Sequence, residues 1–160
     1  MKRLFAVLVF GCVLMCSVPG WAKEIQPTYI QLGFWDSFEL FPSSYSVNGL
    51  RLDFFKGVND NVQGIDFGVI NKSNSGGGFE FGALNFSEDY KGLQLGVLAN
   101  IVSSGEGVEV GMYNSAKEQM HGLQVGLINI AGALDGVQIG IFNYNDNIPG
   151  RFSPFVYFKF

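Results

Sequence analysis

One eight-residue pattern recurs through most of this chain and limits it to a repeat architecture. GIDFGVIN begins at Gly64, followed by GFEFGALN at Gly78, GLQLGVLA at Gly92, GVEVGMYN at Gly107, GLQVGLIN at Gly122 and GVQIGIFN at Gly136. The starts are spaced by 14, 14, 15, 15 and 14 residues, and a degenerate copy, GLRLDFFK, begins 15 residues earlier at Gly49. The template is Gly, apolar, Gln/Glu/Asp, apolar, Gly, apolar, apolar, Asn. In the third copy the asparagine, Asn100, falls one place late. Self-similarity at a fixed short period marks structural units that stack on one another.

Within each copy the period is two residues, which specifies strands and not helices. Leu93, Leu95 and Val97 point one way, and Gly92, Gln94, Gly96 and Leu98 the other. Ile65, Phe67 and Val69 stand in the same relation to Gly64, Asp66, Gly68 and Ile70. Each unit therefore reads as one strand, roughly 8 to 10 residues long. Joining segments such as KSNSGG and NSAKEQMH are rich in turn formers or charge. The closing asparagine suits a turn because its side chain bonds nearby backbone groups.

Three all-β architectures can use a strand with one apolar and one glycine/carboxamide face. The first is a closed antiparallel meander β-barrel of about 8–10 strands, with the apolar face on lipid and the polar face filling the lumen. The second is a β-solenoid with the apolar face inside and asparagine stacked at a corner. The third is a soluble barrel or sandwich. A coil of 14 or 15 residues is narrow, and Phe67, Phe79 and Phe81 are bulky for such a core. A tilted strand of about 10 residues spans about 23 Å, near the height of a membrane barrel's apolar band. The expected fold is therefore the barrel, built from 14–15-residue repeats, with the solenoid as its alternative. Against the barrel stand a count of about nine strands, where single-chain barrels have even numbers, and joining segments of nearly equal length.

In the barrel, the third template position forms a polar belt in the lumen: Arg51, Asp66, Glu80, Gln94, Glu109, Gln124 and Gln138. Buried carboxylates there need partners, and Arg51 is the natural one. A barrel of this size is filled by its own side chains, so no wide pore is expected. The chain ends RFSPFVYFKF, in which Val156, Phe158 and Phe160 alternate with Tyr157 and Lys159. A final amphipathic strand ending in Phe resembles the C-terminal signal that outer-membrane barrels present to their insertion machinery. TYIQLGFW supplies a further alternating strand near the start. Tyr29, Trp35, Tyr90, Tyr144 and Tyr157 are candidates for interfacial girdles.

The first 22 residues read as an export signal. Lys2 and Arg3 precede an apolar stretch from Leu4 to about Val18, Pro19 and Gly20 break it, and Gly20-Trp21-Ala22 offers small residues for cleavage after Ala22. About 15 apolar residues are few for a membrane anchor. Cleavage leaves residues 23–160 as a single β-repeat domain and removes Cys12 and Cys16, hence every thiol. A lipoprotein reading would instead keep one of these cysteines as an acylated N-terminus. Eight basic and 14 acidic residues remain, a net charge of −6.

That charge offers nothing to neutralise phosphates, so nucleic acid is an improbable partner. With 48% apolar and 15% charged residues the chain is no disordered tail. Catalysis finds little support. His121 is the only histidine, in a joining segment, and no cysteine survives cleavage to help it hold zinc. GGGFEFG at 76–82 resembles a phosphate loop, but no βα unit surrounds it. No cofactor is expected.

The tandem units, with a GFW…ELFPSSYSVNGLRL lead and an aromatic end, resemble a family of exported bacterial surface-repeat proteins of the Leptospira type, over about residues 30–160. The resemblance implies export from a Gram-negative cell to its outer membrane or surface. It implies no activity and no catalytic residues. The expected role is structural or surface-interacting, without catalysis, with the outer-membrane bilayer and its insertion machinery as partners. The alternative is a soluble or lipid-anchored binding module, periplasmic or tethered.

Overall fold

The computed structural model describes residues 27–35, 38–146 and 150–160. The leader, with Cys12, Cys16 and the cleavage site after Ala22, lies outside the described residues. The described chain forms β1 (Thr28–Gly33), β2 (Val47–Val125), β3 (Ile128–Asn145) and β4 (Phe152–Lys159), joined in one sheet in that order.

The first three strands are a single motif wound on itself. β1 pairs parallel with β2, placing Gln31 beside Arg51 and Leu32 beside Leu52. β2 pairs parallel with β3, placing Gly122 beside Gly136 and Gln124 beside Gln138. Each residue thus lies against its template equivalent one repeat away. Among the described residues the result is a β-solenoid of about seven turns, 87% strand and without helix.

This corrects the antiparallel meander barrel: the strands are parallel and coil about an axis, and no barrel closes. Alternation assigns side chains to faces but says nothing of strand direction. Here the joining segments also run extended, carrying the chain around to restart one rung above its own beginning. Their near-equal length is what a coil requires.

The first template glycine makes the winding possible. From Gly64 to Gly136 this residue has φ between +104° and +148°, a region that L side chains rarely adopt. A Cβ there would lie within about 2.2 Å of the carbonyl oxygen of the glycine one rung before. The template's second glycine is bounded the same way: at Gly126 a Cβ would meet Gly111 O at 2.3 Å and Asn114 Nδ2 at 2.7 Å. In the six regular copies both positions lack a side chain, which lets that face turn inward in so thin a coil.

Consequently the glycine/carboxamide face is the interior and the apolar face is outside. The barrel expectation had this orientation right; the solenoid alternative, with its apolar face inside, had it reversed. Phe67 and Phe81 stand partly exposed at 39% and 41%, so their bulk strains no core. Phe67 packs on Phe79 and Phe81 along the outer surface, with centroids 5.7 and 6.1 Å apart.

Across the interior from the carboxamides runs a column of small side chains, two residues after each asparagine. It begins polar, with Ser73 and Ser87 hydrogen-bonded at 3.0 Å, and turns apolar at Val102, Ala116 and Ala131. Tyr90, Met120 and Leu134 complete this small apolar core, against which Tyr157 packs. Tyr90 and Tyr157 thus belong to the interior and not to an interfacial girdle.

The two ends differ. β1 is a cryptic copy of the motif: YIQLGFW places Gln31 inside and Ile30 and Leu32 outside, as the template demands. At the other end β4 reverses and pairs antiparallel with β3. A bulge between Gly140 and Asn143, with Phe155 at φ 66°, breaks its register. A reversed, bulged strand is a poor template for a further parallel rung.

Candidate functional site

Two columns of buried polar side chains run the length of the solenoid. The asparagine column starts at Asn71, which donates to Asn85 Oδ1 at 3.0 Å. Asn85 donates to Asn100 (2.8 Å), Asn100 to Asn114 (2.9 Å), Asn114 to Asn129 (2.9 Å) and Asn129 to Asn143 (2.8 Å). Most of these amides also donate to the carbonyl at the fourth position of the next copy, as Asn114 does to Val125 O at 2.9 Å. A carboxamide both donates and accepts, so the chain of bonds propagates without interruption. The late Asn100 still joins it.

The second column gathers the whole expected polar belt. Arg51, Asp66, Glu80, Gln94, Glu109, Gln124 and Gln138 all lie buried at successive rungs. Gln31 heads the column, a member missed because five extra residues separate its copy from the next; the YIQLG match was the available signal. Gln31 holds that insertion in place, donating to Phe41 O and accepting from Phe41 N.

Here the bonds run toward the N-terminus, opposite to the asparagines. Asn145 donates to Gln138, Gln138 to Gln124 (2.8 Å), Gln124 to Glu109 (2.8 Å), and Gln94 to Glu80. Arg51 supplies the expected partner for a carboxylate: its Nε lies 2.8 Å from Asp66 Oδ1 and its Nη2 bonds Oδ2. It also reaches Asn59 and the carbonyl of Lys72, both at 3.2 Å. A guanidinium bonded on all sides is the form in which a buried charge is tolerable.

Three acceptors in this column lack a donor. Gln94 Oε1 and Glu109 Oε1, on neighbouring rungs, are both buried acceptors without a donor. Glu80 Oε1 is likewise without a donor, one rung above Asp66. Burial pushes the Glu109 carboxyl up to about 7. Burial, reinforced by the Asp66 charge, pushes Glu80 up to about 8. A neutral carboxyl has an O–H to donate, so protonating Glu109 and Glu80 supplies the hydrogens these acceptors lack. Asp53, which takes the place of the second glycine in its copy, has Arg51 Nε 3.4 Å away; burial nevertheless raises it to about 6.

All of these groups are buried inside the coil. His121 is exposed and pairs with Asp135 at 3.1 Å, two consecutive rungs apart by one repeat. It borders a shallow polar groove with Tyr90, Lys91, Glu106 and Gln119, where Lys91 and Glu106 form a surface ion pair at 2.7 Å. Gly76, Gly77 and Gly78 of the GGG run lie within continuous strand and form no phosphate loop. Among the described residues no group of three or more His, Cys, Asp or Glu could hold a metal ion.

The surface with recognition capacity is the outer face. Its second, fourth and sixth template positions are apolar in every copy from Ile30 to Ile141, and no charge interrupts them. Val97, Met112 and Ile141 are each at least half exposed. The C-terminal residues extend the same surface: Phe158 lies beside Val137 and Val156 beside Ile139. A groove on this face is lined by Leu95, Val97, Met112, Leu127, Ile141 and Phe155.

No protein-family model, curated protein or solved structure matches this chain.

Proposed function

We propose that this protein is an exported, non-catalytic surface-interaction module, acting at the outer membrane or cell surface of a Gram-negative bacterium. Its interior columns serve as the scaffold, and its outer apolar face makes the contact. The observation that carries this reading is the unbroken, charge-free apolar surface along every rung. Its area, about nine rungs at 4.8 Å by roughly 15 Å of strand, is on the order of 600 Å². Soluble monomers seldom leave so large a patch uncovered without a binding use for it.

The leader-like first 22 residues and the resemblance to exported surface-repeat proteins support the destination. The insertion-signal reading of Val156, Phe158 and Phe160 presupposes a closed barrel. In a solenoid, Val156 and Phe158 instead continue the apolar face and belong to the contact surface.

Fractionation of tagged protein tests the reading. Recovery of the shortened, leader-free chain with outer membrane or surface material is the expected result. Retention in the cytoplasm with an uncut leader would refute export. A tagged chain carrying Val97→Glu should stay folded and lose whatever contact this face makes.

A further inference from the structure

We propose that the outer apolar face pairs with the same face of a second copy, giving a two-fold symmetric sheet sandwich. This rests on the reading of that face as an interaction surface and names its occupant. Three observations favour a second copy over a lipid leaflet.

The first is area. Two faces of about 600 Å² together bury about 1,200 Å² even in flat projection, which reaches the range of stable interfaces. The second is charge. The face carries none, and after leader removal the chain is at −6. Such a chain has no basic rim to draw it to anionic lipid, whereas two uncharged faces meet without burying an ion.

The third is shape. Bulk differs on the two sides of the Gly92 rung: Phe67, Phe79 and Phe81 stand on the two rungs before it, and Val108, Val110 and Val125 on the two after it. A two-fold axis along the strand direction through that rung sets Phe67 against Val125, Phe79 against Val108 and Phe81 against Val110. Large side chains then meet small ones on the rungs either side of the centre, as close packing requires. Aligned sheets pack face to face about 10 Å apart in this manner. The rung beginning at Gly92 is central, so Leu95 and Val97 lie nearest the axis.

Analytical ultracentrifugation of the leader-free chain at micromolar concentrations is the test. A species of twice the chain mass is expected. Val97→Glu should weaken the dimer at least about ten-fold while circular dichroism stays that of a folded β protein. Since the leader-free chain has no cysteine, Val97→Cys should be joined into a covalent dimer by a short bis-maleimide cross-linker, and Glu118→Cys should not. Flotation with neutral phosphatidylcholine vesicles separates the alternatives. A monomer that floats, and loses flotation with Val97→Glu, overturns the dimer but keeps the face as the contact surface. A monomer that neither associates nor floats overturns both. A dimer untouched by Val97→Glu, with no cross-link through Val97→Cys, also sinks the proposal.

Discussion

The two inner columns share a backbone, a period and a degree of burial, yet they behave differently. In the asparagine column every internal member passes a hydrogen bond to the next rung. In the other column the same geometry is filled by carboxamides, carboxylates and one guanidinium, and acceptors are left over at Glu80, Gln94 and Glu109. Ladder continuity is therefore a matter of proton inventory, not of space. An amide brings a donor and an acceptor to each rung. A carboxylate brings only acceptors and needs either an arginine or a proton.

The largest test of this contrast is Arg51→Met. It removes the guanidinium that bonds both Asp66 oxygens and leaves a buried charge unpaired, at a cost of about 3–5 kcal/mol. Urea denaturation should show the loss, and the companion change Asp66→Asn should recover part of it. An undiminished midpoint would mean that Asp66 is already neutral.

Cutting the other column should cost somewhat less. Asn114→Ala removes one of the two acceptors of the Asn100 amide and the donor to the Asn129 oxygen and the Val125 carbonyl, and about 2–4 kcal/mol is expected. Asn71→Ala, at the ladder's end with one neighbour and an Oδ1 already unpartnered, should cost about half as much. Equal losses at the two sites would argue against a cooperative ladder.

Protonation provides a third test. Glu109 and Glu80 ordinarily titrate near 4.5, but folded they hold their protons up to about 7 and about 8. The folded state then binds more protons than the unfolded one between those limits. Stability should be greatest at mildly acidic pH and fall as pH rises from about 5 to about 8. Thermal melts across that range would show it. Glu109→Gln supplies a permanent donor toward Gln94, so it should raise stability at pH 8 by about 1–3 kcal/mol and flatten the pH dependence. A melting temperature that climbs with pH would contradict this account.

The smallest effect belongs to the exposed pair. His121→Ala removes a surface contact with Asp135 and should change stability by less than about 0.5 kcal/mol. A larger loss would show that the polar groove supports the fold.

Part of this molecule was legible in its residues. Repeats, strand character and the membership of each face follow from alternation alone. Arg51 could be named as the carboxylates' partner because all eligible residues share one template slot. Gln31 was harder to place, since the insertion after Trp35 hides its copy from a search at a fixed period. The two missing protons could not be read at all. They depend on which acceptors the coil buries without a donor, as it does at Gln94, Glu109 and Glu80.

By itself, then, the sequence settled which side chains travel together on each face. Only the tertiary structure decided that successive strands run parallel and coil, because a two-residue period is identical for either direction of travel. It also decided that the glycine/carboxamide face turns inward, beside a short apolar core that includes Tyr90, Met120 and Leu134. Glycine carbonyls of adjacent turns approach within reach of where any Cβ would stand. A passage that narrow admits carboxamides that bond to their own copies one turn away, and leaves the apolar face of each repeat outside.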